Sequence, residues 1–122
     1  MDFDRAIQAH TNWKLRLFNY CKGSSQDKID VRTVEKDNVC ELGEWLHAER
    51  RKHAGGTGFE KLIEAHAAFH RSAAAVAALI ERGQAPEAEK LLRSPDSEFN
   101  KRSLQVVGCL MSLRAKSEYA LM

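Results

Sequence analysis

The sequence has no apolar run long enough to span a bilayer, and its start, MDFDRAIQAH, has no basic region followed by an apolar stretch. Membrane-spanning and exported classes are therefore set aside, and the chain is read as cytoplasmic. It also lacks any block of like charge. With 19 basic and 17 acidic side chains the formal charge is +2, so neither a nucleic-acid arm nor a polybasic membrane anchor is expected. Cysteine is scarce and odd in number, three residues at unrelated spacings. That favours free thiols or metal ligands over a disulfide framework. No alternating strand pattern, internal repeat or low-complexity segment occurs. At 122 residues the chain is the size of one domain, residues 1–122, which can bury a core without disulfides.

What is present is helical patterning. Phe3, Ile7, His10, Leu17 and Cys21 mark one face of a first helix to about Tyr20, with Lys14 in the gap and His10 inside the apolar stripe. KGSSQDKIDVRTVEK reads as a connection. A second helix is expected from about Asp37 to Arg51, ended by KHAGGTG. The third has the clearest start: Thr57 and Glu60 form a capping-box signature, and Gly83 is the expected terminator. A short helix follows in QAPEAEKLLR, with Pro86 in its first turn. SPDSEFN, with Ser94 and Pro95, opens a last helix to about Lys116, striped by Phe99, Ser103, Val106, Leu110 and Leu113 with Val107 and Met111 beside them. The expected fold is all-α, an antiparallel helical bundle of four main helices plus a short one.

The third helix carries the chemistry. His66 and His70 are four apart, so their rings leave one face a turn apart, as two ligands of one metal ion require. They also share the inward stripe of Phe59, Leu62, Ile63, Ala73 and Ala77. Buried imidazoles need partners, and a metal supplies them. Histidine pairs at this spacing are common on helices, so hydrogen bonding within the bundle or a solvated groove is the plainer alternative. The metal reading gains from candidate ligands elsewhere: His10 in the first stripe, and Cys40 near the middle of the second helix. His10, Cys40, His66 and His70 at one level would make a tetrahedral zinc site with no open position for catalytic water. Ala67 stands where zinc peptidases place a glutamate, which also argues against hydrolysis. A di-iron centre fits poorly, because Glu64 precedes His66 by two residues rather than three.

HTNWK (10–14), DNVCELGEWL (37–46) and HAAFHRSA (66–73), followed by SEFNKRSLQVVGCLMSLR, resemble the motifs of the chemoreceptor zinc-binding (CZB) domain family over nearly the whole chain. The resemblance implies a helical bundle forming a symmetric homodimer, with one zinc per chain held by three histidines and one cysteine, here His10, Cys40, His66 and His70. It implies a non-enzymatic bacterial module that senses zinc or hypochlorous acid for chemoreceptors or diguanylate cyclases. Nothing is attached here, and both ends read as complete, so a stand-alone member is expected over a fragment. The blander rival is a helical interaction module with a purely structural metal site or none.

Zinc would hold Cys40 as thiolate, the form oxidants attack, making Cys40 the expected redox switch. Gly43 would let a neighbouring helix approach closely. Asp37 is a candidate acceptor for a ligand histidine N–H, or simply a helix cap. Trp13 and Trp45 are expected as core or dimer-interface aromatics, His47 and His53 as surface residues, and Cys21 and Cys109 as small buried hydrophobes. SAAAVAALI is small enough for close helix contact, consistent with a dimer seam.

Overall fold

The computed structural model describes residues 2–23, 29–36, 40–49 and 57–120. Six helices form in the described residues: α1 (Phe3–Cys21), α2 (Val31–Glu35), α3 (Glu41–Glu49), α4 (Thr57–Glu81), α5 (Ala85–Arg93) and α6 (Glu98–Ala120). The expected all-helical bundle is observed. Along the chain α1, α3, α4 and α6 alternate in direction. His10 lies against His66 and Trp13 against His70, so α1 and α4 run the same way. The Asp4–Arg114 ion pair sets α6 against α1. Trp45 of α3 reaches Phe3 and Phe59, both early in their helices, so α3 descends from Cys40 between two ascending helices.

Local signals explain most boundaries. Asp2 caps α1 by accepting the Arg5 N–H at 3.0 Å. Gly83, at φ +81°, ends α4 in a Schellman motif: its N–H reaches the Ile80 carbonyl at 3.0 Å, and the Gln84 N–H reaches Leu79 at 2.8 Å. The Thr57 side chain lies outside the described residues, as do Asp37 and His53.

Two expectations need correction. The stretch read as connection contains α2, because Asp30 accepts from both the Arg32 N–H and the Thr33 hydroxyl at 3.1 Å, while Val34 is buried. The last helix starts at Glu98 rather than around Pro95. Ser97 is its cap, its hydroxyl accepting the Asn100 N–H at 3.2 Å, whereas the Ser94 N–H closes α5 by reaching Lys90. Asn100 ties the corner by donating from Nδ2 to the carbonyls of Leu92 (3.0 Å) and Ser94.

The core runs along α4. Phe69, Ala73, Val76 and Ala77 meet Ala88 and Leu92 of α5 and Phe99, Val106 and Leu110 of α6 in one buried cluster. The alanines expected as a dimer seam are largely spent inside the chain, with Ala75 exposed. Trp45 packs into this core edge-on to Phe3 and Phe59. Cys21 and Cys109 border the core half-buried, and burial pushes both thiols up from their ordinary value. No described helix is long and apolar enough to cross a membrane.

Candidate metal centre

His10, His66 and His70 are three of the few buried polar residues, at 2%, 1% and 1% exposure. Their helical positions force this: each falls on the apolar stripe of α1 or α4, so folding carries the imidazole inward. Burial is the first cause that lowers the pKa of His10 and holds His66 down at about 2, with the neighbouring histidines reinforcing it. Both rings are neutral at physiological pH and keep a lone pair for a ligand.

Two rings have their tautomer set by a backbone carbonyl. His10 donates from Nδ1 to the Ala6 carbonyl at 2.9 Å, and His70 from Nδ1 to the Val34 carbonyl at 2.7 Å. Each therefore turns an unprotonated Nε2 to the interior, the arrangement that fixes histidine ligands in metal sites. The Nε2 atoms of His66 and His70 lie 3.0 Å apart. His10 Nε2 is buried with no hydrogen-bond partner among the described residues. Such an orphan is costly unless something absent from a bare chain meets it.

Cys40 completes the set. Its carbonyl accepts the Glu44 N–H at 2.9 Å and its sulfur accepts the Gly43 N–H at 3.3 Å, so it caps α3 instead of lying near the middle of a helix. The cap places the sulfur at the positive end of the helix dipole, which favours thiolate. Gly43 is buried and contributes through its N–H, a role distinct from the expected close approach of a helix.

The Cys40 sulfur stands 3.2 Å from His66 Nε2 and 3.6 Å from His70 Nε2. One potential donor atom from each of His10, Cys40, His66 and His70 lies within 4.8 Å of the others. In a zinc tetrahedron, bonds of about 2.3 Å to sulfur and about 2.05 Å to nitrogen give S···N edges near 3.5 Å and N···N edges near 3.3 Å. The three separations among Cys40, His66 and His70 match those edges to within a few tenths of an ångström, and one thiolate with three imidazoles is a donor set zinc accepts. The cluster suits a single zinc ion.

Aromatic residues wall the cluster. Phe69 packs against His10 and His70 at centroid distances of 5.5 and 5.7 Å, and Trp13 stands edge-on to His70 at 6.3 Å under the Arg16 guanidinium. His47 is exposed, as expected. The Val34 and Ala6 carbonyls escape sequence reasoning because a backbone acceptor has no residue signature. Ala6 could have been found as the residue four before a buried histidine, but Val34 required knowledge of α2.

Comparison with curated proteins returns no match, and comparison with solved structures returns none. The family model of the Chemoreceptor zinc-binding domain matches residues 10–77, from the first buried histidine past the histidine pair of α4 to the last turns of that helix. With more than half its length matched and a histidine and cysteine cluster suited to zinc inside that span, the chain belongs to the CZB family of zinc-binding signalling domains.

Proposed function

We propose that His10, Cys40, His66 and His70 ligate one zinc ion, and that the chain is a cytoplasmic sensory module reporting zinc occupancy or the oxidation state of Cys40. The observation that carries this reading is the orphaned His10 Nε2, buried on one helix among the donor atoms of two others. Zinc would supply the positive charge that keeps the thiol deprotonated and ties α1, α3 and α4 together.

Four protein donors leave no position for an activated water, which supports signalling rather than hydrolysis. As redox switch, the Cys40 thiolate attacks the chlorine of hypochlorous acid. The O–Cl bond breaks, hydroxide leaves, and hydrolysis of the S–Cl bond gives sulfenic acid and chloride. The sulfur loses two electrons, and one of the four donors becomes a poor ligand. Loss of that donor frees the capping residue of α3, so the output is a change in how α3 sits between α1 and α4. A symmetric homodimer would pass it to a chemoreceptor or diguanylate cyclase partner. The exposed Leu104 (71%) and Met111 (48%) on α6 support such a partnered face.

The test is zinc per chain by plasma mass spectrometry on untagged protein, native and Cys40→Ala. Close to one zinc per native chain, weaker retention in the variant, and zinc release by stoichiometric hypochlorous acid are expected. A native chain without metal after incubation with zinc would reduce the protein to a helical interaction module.

A further inference from the structure

We propose that a crevice between the first turns of α1 and the start of α3 is the route by which a small uncharged oxidant reaches the Cys40 sulfur, with Ala9 setting its width. The inference rests on the reading of Cys40 as the reactive thiolate, and concerns which molecules gain access to it.

Cys40 is only partly buried, although two histidine rings and the Gly43 N–H surround its sulfur. Beside it lies a space of about 50 Å³, walled by Ala6, Ala9, Trp13 and Leu42 and rimmed by Asp2 and Arg5, with His10 and Cys40 also lining it. Burial orders these residues. Asp2, Arg5 and Ala9 are exposed, whereas His10 and Leu42 are each 2% exposed. The crevice thus runs from solvent at the N-terminal end of α1 down to the candidate ligands.

Its size and lining select what enters. A water-sized centre needs about 10–15 Å³, so this space admits a molecule of a few heavy atoms and excludes a peptide disulfide. Its walls are three aliphatic side chains and an indole, which penalise an ion that must shed water to pass. Among the described residues the rim carries one acidic and one basic side chain, which together present no net charge to draw an anion. A neutral hypohalous acid fits each condition, and it is consumed as written above: halide leaves, and the sulfur becomes sulfenic acid.

Ala9 is the place to close the route. It is exposed on a regular helix, where leucine is nearly as good a helix former, so Ala9→Leu narrows the crevice without disturbing the core. The experiment treats zinc-loaded native and Ala9→Leu protein with limiting hypochlorous acid. Zinc per chain is recorded, and oxidation of Cys40 is compared with that of Cys109 in the same sample by peptide mass spectrometry. The expected result is unchanged zinc with a Cys40-to-Cys109 ratio lowered about tenfold, since thiol oxidation follows access.

A second measurement needs no variant. In the native protein the same ratio should fall at least as far when hypochlorous acid is replaced by the bulkier, anionic N-chlorotaurine. An unchanged ratio in both arms, with zinc retained, overturns the route while leaving the ligand assignment intact. Absence of zinc from the native chain overturns the ligand assignment and the route with it.

Discussion

The bundle holds two differently built regions. Where α1, α3 and the first half of α4 meet, the interior contains three imidazoles and a thiol. Where the second half of α4 meets α5 and α6, it contains Ala73, Ala77, Ala88, Leu92, Phe99, Val106 and Leu110. The second region is self-sufficient, since apolar burial stabilises it without help. The first combines buried Leu42, Leu46, Phe59 and Leu62 with polar rings, one with an unmet nitrogen, a cost that the zinc proposed above would offset. On the proposed zinc reading, a stable platform stands beside a region whose order would depend on the metal, which is the physical requirement for a sensor.

Removing the metal should break that contrast most strongly. If free zinc stands about a thousandfold above its dissociation constant, chelation lowers the unfolding free energy by about 4 kcal/mol. Hydrogen exchange should then rise in α1 and α3 more than in α5 and α6, and equal loss in both regions would erase the distinction. The converse perturbation is Leu92→Ala. Its side chain is fully buried, so denaturant unfolding should show a loss of about 3 kcal/mol with zinc stoichiometry unchanged.

Acid should separate the regions next. The folded pKa values of His10 and His66 lie below their ordinary value, so the unfolded chain binds more protons below it. Stability of the zinc-free protein is then fully present above about pH 6.5 and falls as pH drops, by about 1.4 kcal/mol per pH unit for each such histidine. For His66 the decline continues towards its folded value of about 2. Paired replacement, His10→Phe with His66→Phe, should flatten this slope in pH-dependent unfolding. The smallest effect is expected at Ser97→Ala, which removes the cap of α6 and should cost about 1 kcal/mol while leaving zinc affinity unchanged.

The two regions also differed in how much the sequence disclosed. His66 and His70 were legible because a four-residue spacing on an apolar stripe has a direct geometric meaning, and His10 because it replaced an aliphatic residue in a regular pattern. Cys40 was legible as a member of the cluster but not as a helix cap. Cysteine is not a usual cap, and the expected helix from Asp37 to Arg51 hid the start of α3 at Glu41. Val34 was invisible: α2 is five residues long, and its contribution is a backbone carbonyl. At the α5–α6 corner, two serines stood near a proline, and only the Asn100 hydrogen bonds distinguish Ser97 as the cap from Ser94 as the end of the previous helix. Periodicity reports faces; local capping and carbonyl contacts depend on three-dimensional neighbours.

Ligation of one zinc by the Cys40 sulfur and the imidazole nitrogens of His10, His66 and His70 can be read from zinc K-edge X-ray absorption on the native chain. One sulfur at about 2.3 Å and three nitrogens at about 2.0–2.1 Å are expected, with the sulfur shell lost in Cys40→Ala. A spectrum of nitrogen and oxygen neighbours alone, or a sulfur shell that survives Cys40→Ala, would contradict it.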